Sequence, residues 1–151
     1  MVFKNGNIRS IKSPVLLGWA GTIPFLIFSL SIIFGSNFSV FARDAGIIYS
    51  ALILTFLGAV HWGWMLKEDL KKFDKLIIWI WGITPSLIAW ISLMILIVFN
   101  NYKVSSVFIV FGFLCALIID YKIFYSIKWF VKHRAGLSLV AISSTLINGF
   151  F

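Results

Sequence analysis

Residues 45 to 66 read AGIIYSALILTFLGAVHWGWML, and this stretch decides the fold class. It contains no Asp, Glu, Lys or Arg, and it holds one histidine, His61. A helix that crosses a bilayer needs about 20 consecutive, mostly apolar residues. The stretch therefore predicts a transmembrane helix that carries an imidazole near one end.

The composition of the whole chain agrees with this prediction. Of 151 residues, 61% are hydrophobic and only 12% are charged, and the mean hydropathy is +1.02. Soluble domains carry about 25% charged residues, so this chain has too little polar surface for a water-soluble globule. A net charge of +8 would indicate nucleic acid in a soluble protein. In a membrane protein the positive charge instead indicates which loops are cytoplasmic, and no nucleic-acid partner is expected.

We predict an all-α integral membrane protein with five transmembrane helices in a compact bundle and a single domain over residues 1–151. The first apolar run begins at Val15 and is too long for the apolar core of a signal peptide, and no clear A-x-A cleavage site follows it. We therefore predict that this run is not cleaved off and forms the first transmembrane helix. The predicted spans are 15–34, 45–66, 76–99, 104–124 and 135–150.

The basic residues predict the orientation of these spans. Five crossings place eleven of the thirteen Lys and Arg residues on one side, in the N-terminus, the 67–75 loop and the 122–134 segment. Only Arg43 and Lys103 fall on the other side. Cytoplasmic loops carry the excess of positive charge, so the N-terminus is predicted to be cytoplasmic, the C-terminus outside, and the location a bacterial inner membrane.

Small residues at helical spacing predict how the helices pack, because close backbone approach drives helix association in lipid. Pro24 and Pro85 lie inside spans, where each is expected to cause a kink. A polar and small stripe in the fifth span (Ser138, Ala141, Ser144, Thr145 and Asn148) is expected to face inward. The residues predicted to form helix contacts in the other spans are Gly18, Thr22, Ala51, Thr55, Gly58, Ala59, Gly63, Gly112 and Ala116.

His61 is the first candidate for a functional group. At about 100° per residue it shares a face with Ser50, Leu54 and Leu57 and lies about 130° from the small-residue stripe of its span. This places it outside the tightest helix contact, near the cytoplasmic headgroups. It could be a hydrogen-bonded structural histidine, a haem or metal ligand, or a proton-handling or substrate-binding group. The candidate ligand-binding residues are His61, Trp62, Trp64 and Trp81.

Asp120 is the second candidate. It shares a helix face with Gly112 and Ala116, so its carboxylate is expected to point into the bundle. Arg134 opens the next helix at the same end and is its natural partner, because a charge near the membrane must be paired or solvated. We predict a structural Asp120–Arg134 ion pair. No catalytic residue and no metal site is predicted, because no hydrolase, phosphate-loop, CxxC or HExxH motif is present.

Two segments carry a family resemblance. The stretch PVLLGWAGTIPF at 14–25 resembles the LGxAGxIPF opening of the DUF3429 family, and YSALILTFLGAVHWG at 49–63 is similar to that family's second helix. The aspartate that ends the fourth span and the arginine that opens the fifth also fit. The resemblance implies a small five-helix membrane protein, similar to transmembrane protein 69, of bacterial inner membranes or mitochondria. It implies no established activity.

Three hypotheses for the function remain open. The first is an accessory, assembly or structural subunit of a larger membrane complex, with other integral membrane proteins as partners. The second is a bundle that binds a lipid, a tetrapyrrole such as haem, or another hydrophobic ligand, in the manner of Trp-rich sensory proteins. The third is an enzyme that uses His61 and Asp120. No cofactor is predicted, with a tetrapyrrole as the alternative.

Overall fold

The computed structural model describes the backbone of residues 9–65 and 72–151 and the side chains of residues 14–63 and 76–151. Lys4, Lys67 and Lys71, and the side chain of Trp64, lie outside this part of the chain. The regular structure of the described residues is entirely helical. Its elements are α1 (Arg9–Ala20), α2 (Ile23–Ile33), α3 (Ser39–Met65), α4 (Lys72–Phe99), α5 (Tyr102–Phe124) and α6 (Lys128–Phe150).

Four stretches of these helices are long and apolar enough to cross a membrane, so the chain is a multi-pass membrane protein. They are Pro14–Ile33, Ser39–Gly63, Leu76–Phe99 and Tyr102–Phe124. The predicted fifth span lies in α6, which is as long as α5 but is not among the four. Its polar side chains and its basic first turns lower the mean hydropathy of the helix.

The first span is broken into α1 and α2 at Gly21 and Thr22. The Thr22 hydroxyl donates a hydrogen bond to the carbonyl oxygen of Trp19, at 2.7 Å, and Pro24 follows within the first turn of α2. Proline cannot donate a backbone hydrogen bond, so the interruption falls just before it. Helix α4, by contrast, continues through Pro85 to Phe99.

Two tight turns connect the next helices. Gly35 ends α2 with a positive φ of 59°, and Ser36 N–H donates to the carbonyl of Ser31 at 3.1 Å. This bonding pattern and a left-handed glycine define a Schellman motif. Between α4 and α5, Asn100 has a φ of 49° and the Asn101 side chain accepts a bond from Val104 N–H at 3.1 Å. The asparagine cap starts α5 directly after the turn.

Helices α3 and α6 form the centre of the bundle. Helix α3 contacts α2, α4, α5 and α6, and α6 contacts α1, α2, α3 and α5. The core at this centre contains Ile47 and Leu54 of α3 and Ile109 and Phe113 of α5, each no more than 1% exposed. The functional side chains described below sit on α3, α5 and α6, which all contact one another.

The predicted contact stripe of α3 is wrong in part. Ala51 is buried, but Thr55, Ala59 and Gly63 are exposed, and a Cβ built on Gly63 meets no atom within 4 Å. The inward face is the one that holds Leu54 and His61. In lipid the outer face of a helix is apolar as well, so small residues alone do not distinguish a packed face from a lipid-facing one.

The other predicted packing residues lie in helix contacts or in the interior. A Cβ on Gly58 would lie 2.6 Å from the Gly82 carbonyl oxygen, so α3 and α4 approach backbone to backbone. A Cβ on Gly112 would lie 2.5 Å from Leu54 Cδ2, and Gly18 approaches the His133 ring. The side chains of Thr22, Ala51 and Ala116 are buried.

Helix α6 runs beside α5 along its whole length. Arg134 meets Asp120 at one end, and Gly149 meets Ser106 at the other. Its polar and small stripe is buried, as predicted, and Thr145 shares a 2.9 Å hydrogen bond with Ser50 of α3. Because these polar side chains are buried in the bundle and do not face lipid, α6 can be less apolar than the helices around it.

Candidate functional site

Three ionisable side chains from three helices meet at one end of the bundle. His61 of α3, Asp120 of α5 and Arg134 of α6 are 0%, 1% and 12% exposed, respectively. Nε and Nη2 of Arg134 each lie 2.8 Å from Asp120 Oδ2. His61 Nε2 lies 3.0 Å from Asp120 Oδ1. We call this group the ion triad.

The partners of His61 fix the orientation of its ring. Nδ1 lies 3.0 Å from the carbonyl oxygen of Leu57, which can only accept a hydrogen bond, so Nδ1 is the nitrogen that donates. Nε2 is directed at the Asp120 carboxylate, whose other oxygen accepts the bonds from Arg134.

The contact between His61 and Asp120 is a close polar contact rather than an aligned hydrogen bond. Nε2 and Oδ1 are 3.0 Å apart, but neither atom has a hydrogen-bond partner among the described residues. The charge-assisted bonds of Asp120 go to Arg134. Two side chains, from α3 and α6, thus converge on one carboxylate.

Aromatic rings enclose the triad. The Phe124 ring lies 5.9 Å from the His61 ring, and Phe130 packs edge to face against Phe124 at 4.9 Å. The Arg134 guanidinium lies 5.9 Å from the centre of the Phe130 ring. These rings exclude water, which strengthens the attraction between the charges and makes the loss of any one partner costly.

Two of the tryptophans predicted to bind a ligand, Trp62 and Trp81, lie elsewhere. Trp62 is 38% exposed and donates its indole N–H to the carbonyl of Trp79 at 3.3 Å. Trp81 is buried. Neither lies on the cavity described next. Within residues 9–65 and 72–151, no three His, Cys, Asp or Glu side chains are placed to hold a metal ion.

A cavity of about 190 Å³ lies beside the ion triad and reaches it through Arg134. Leu17 and Phe56 are both on its wall and largely exposed, so they mark a mouth that opens sideways between α1 and α3. Arg134 is the only charged side chain among the described lining residues. The lining residues are Leu17, Gly18, Gly21, Thr22, Phe25, Ile53, Phe56, Leu57, Phe113, Arg134, Leu137, Ser138 and Ala141.

His133 does not join the triad. Its ring packs edge to face with Trp19 at 6.0 Å. Burial, and secondarily the neighbouring charge of Arg134, lower the pKa of His133 below its usual value. The neutral ring thus suits its position against α1.

A second polar cluster lies at the opposite end of the bundle. Arg43 donates to the carbonyl oxygens of Asn148 at 2.9 Å and Gly149 at 3.2 Å, which are orphan acceptors at the end of α6. Its guanidinium lies 4.4 Å above the Tyr102 ring, and the Tyr102 hydroxyl donates to Asp44 at 2.6 Å. Arg43 of α3 thus caps the C-terminal end of α6, a contact that the sequence does not predict.

Sequence reasoning placed Asp120 and Arg134 side by side but left His61 apart from them. A signal was present, since His61 shares its helix face with Leu54 and Leu57, both of which are buried. The expectation that His61 lies outside the tightest helix contact is wrong, because the side chain is completely enclosed between helices. The cavity has no sequence signature, because it arises where α1 breaks from α2.

Fold and site together define a small helical membrane bundle with a buried ion triad beside an apolar cavity. The model of the family described as protein of unknown function DUF3429 matches residues 10–150. The chain belongs to this family, which confirms the resemblance seen in the sequence.

A curated relative, transmembrane protein 69 of Xenopus tropicalis, is 30% identical over 141 residues. The match covers 91% of this chain and 54% of the relative, so the chain spans about half the length of that protein. No solved structure matches the chain.

Proposed function

We propose that this protein binds a hydrophobic or amphipathic small molecule in the cavity between α1, α2, α3, α5 and α6. The observation that carries the proposal is an apolar, laterally open cavity with a single charged side chain, Arg134, in its described lining. Ligand sites commonly combine apolar walls with a few placed polar groups. A mouth between helices would admit a molecule from the bilayer.

The size of the cavity favours a slender ligand over a tetrapyrrole. A cavity of about 150 Å³ is known to hold benzene, and pockets for drug-sized molecules measure about 300–1,000 Å³. At about 190 Å³, this cavity suits one ring or a segment of an alkyl chain. His61 is also poorly placed to ligate haem, because Nε2 faces Asp120.

Photolabelling tests the proposal. A hexadecanol that carries a diazirine and an alkyne is incorporated into micelles with the purified protein and activated, and the labelled peptides are identified by mass spectrometry. We expect labels on the cavity walls, at Ile53 and Leu137. Ile53→Trp, at the half-buried wall, should reduce this labelling several-fold, whereas Ile48→Trp on the exposed side of the same helix should not. Equal labelling in the two variants would contradict the proposal.

We also propose that the chain crosses the membrane five times with a cytoplasmic N-terminus, in a bacterial inner membrane. The support is that α6 lies beside α5 from Asp120 to Ser106 and therefore covers the same depth. In a Cys115→Ser background, a membrane-impermeant thiol reagent added outside should label Asn101→Cys and not Tyr125→Cys. The opposite pattern would contradict this orientation.

An accessory role in a larger membrane complex is a second candidate function. It rests on the long exposed apolar side of α4, which includes Ile80, Ile83 and Leu87 and could contact a partner helix as well as lipid. Purification in a mild detergent should then retain a constant set of larger membrane proteins. Polar replacement of Leu87 should release them. A protein that purifies alone from several detergents would contradict this role.

A further inference from the structure

Two hydrogen-bond donors on the cavity wall are not used within the described part of the chain. Ser138 lines the cavity and is only 5% exposed, yet its hydroxyl makes no hydrogen bond to a described residue. Arg134 bonds Asp120 through Nε and Nη2, and its Nη1 makes no hydrogen bond to a described residue. Buried polar groups normally have a partner. The two donors therefore mark a place where a ligand can supply an acceptor.

The other polar groups of the described wall already have partners. The Thr22 hydroxyl donates to the carbonyl oxygen of Trp19 at 2.7 Å, and the Gly21 carbonyl oxygen accepts from the Tyr49 hydroxyl at 2.8 Å. The remaining side chains of the described lining are apolar. A polar head group can thus be recognised at Arg134 and Ser138, and the rest of the ligand must be apolar.

The charge of Arg134 is already compensated. Oδ2 of Asp120 accepts both of its bonds at 2.8 Å, and no other charged side chain is among the described lining residues. An ionised head group would bring an unbalanced charge into an apolar site, which is costly. The wall therefore favours a neutral head group that accepts hydrogen bonds.

We propose that the ligand of this cavity is a neutral, single-chain lipid whose head group presents a carbonyl oxygen to Arg134 and Ser138. A carbonyl oxygen has two lone pairs and no donor of its own, so it can accept one bond from each residue. Residues four positions apart on a helix are neighbours on one face, with Cβ atoms about 5–6 Å apart, which lets one oxygen atom reach both donors.

The shape of the cavity limits the rest of the ligand. A volume of about 190 Å³ is too small for the two chains of a phospholipid. One chain can follow the apolar wall and leave toward the bilayer through the mouth between Leu17 and Phe56. This inference rests on the proposed function of the cavity and adds the chemistry of the head group to it.

Competition against the photoreactive hexadecanol tests the inference. Pentadecyl methyl ketone, palmitate and heptadecane are compared in micelles with the purified protein, in alkaline buffer so that palmitate is ionised. These competitors have similar chains, and the ketone and palmitate differ only in a methyl group or a charged oxygen on the carbonyl carbon. One hydrogen bond supports about fivefold tighter binding, so two bonds should let the ketone displace the probe at about one twentieth of the heptadecane concentration. Palmitate should be weaker than the ketone. Equal competition by ketone and heptadecane, or palmitate as strong as the ketone, would overturn the inference.

A serine variant tests where the head group lies. Ser138→Ala removes one donor and no hydrogen bond to a described residue, so the protein should fold and the advantage of the ketone over heptadecane should fall about fivefold. Ser144→Ala is the matched control, because Ser144 is a buried serine of the same helix that does not line the cavity. An advantage that persists in Ser138→Ala, or that falls equally in Ser144→Ala, would contradict the assigned position.

Removal of the compensating charge tests why the site prefers a neutral head group. In Asp120→Asn the guanidinium of Arg134 has no carboxylate partner among the described residues, so palmitate should gain on the ketone about tenfold. If the order of the competitors is unchanged in the folded variant, Asp120 does not determine the preference and the charge argument is wrong.

The proposed function and this inference can fail separately. If the hexadecanol probe does not label the cavity of the wild-type protein, the proposed function itself is wrong. If it labels the cavity and Ile53→Trp prevents this, but the ketone shows no advantage over heptadecane, only the inference about the head group is wrong.

Discussion

Replacement of Asp120 by asparagine should destabilise the bundle more than any other single carboxylate change in the described residues. The substitution keeps the shape of the side chain but removes the charge that holds His61 and Arg134. Loss of one partner from a buried ion pair costs about 3–5 kcal/mol. Because Arg134 is 12% exposed and can recover some hydration, we expect the lower end, about 3 kcal/mol.

The free energy of unfolding can be measured by titration with sodium dodecyl sulfate in mixed micelles, with tryptophan fluorescence as the readout. Asp44→Asn is the matched control. The Asp44 carboxylate accepts one bond from Tyr102, and asparagine can still accept it, so a loss of about 1 kcal/mol is expected. If Asp120→Asn costs no more than Asp44→Asn, the triad does not hold the helices together.

A double-mutant cycle isolates the interaction itself. In Asp120→Asn combined with Arg134→Gln, the uncompensated charge of Arg134 is gone, so part of the loss should be recovered. We expect the double variant to be at least about 1 kcal/mol more stable than the sum of the single changes. Additive losses would refute the reasoning.

Three further predictions concern packing, capping and pH. Gly58→Leu should cost about 3 kcal/mol or more, because its side chain would meet the Gly82 carbonyl oxygen of α4, whereas Gly63→Leu should change the unfolding free energy by less than about 0.5 kcal/mol. Arg43→Gln should expose the last carbonyls of α6 and speed amide hydrogen exchange in its final turn about tenfold, whereas Lys103→Gln should have little effect. For His133, the pKa is lowered in the folded protein by burial and by Arg134, so the unfolded chain binds the proton more tightly. The contribution of the His133 ring to the free energy of unfolding is complete above pH 6.5, the usual pKa, and decreases as the pH falls toward the lower pKa of the folded protein. On acidification, the free energy of unfolding should therefore fall more for the wild type than for His133→Gln. A difference that does not vary with pH would contradict this assignment.

The packing of α3 shows that the sequence can group residues on one face of a helix without showing whether that face points inward or toward lipid. The periodicity correctly grouped Ser50, Leu54, Leu57 and His61 on one face, and all four side chains are buried. It does not show that this face is the inner one, and the small residues Thr55 and Ala59 predict the wrong face. In a water-soluble protein the polar face of a helix would point outward, but in a bilayer an apolar face can point either inward or toward lipid.

The sequence by itself determined that this is a helical membrane protein of the DUF3429 family, where most of its helices begin and end, and that Asp120 and Arg134 could meet. These properties depend on apolar length, turn residues and the order of helices along the chain. The tertiary structure decided that His61 completes the triad, that Arg43 caps α6, and that a cavity opens beside Arg134. These features depend on how separate helices rotate and approach one another, which local hydropathy does not encode when the solvent is itself apolar.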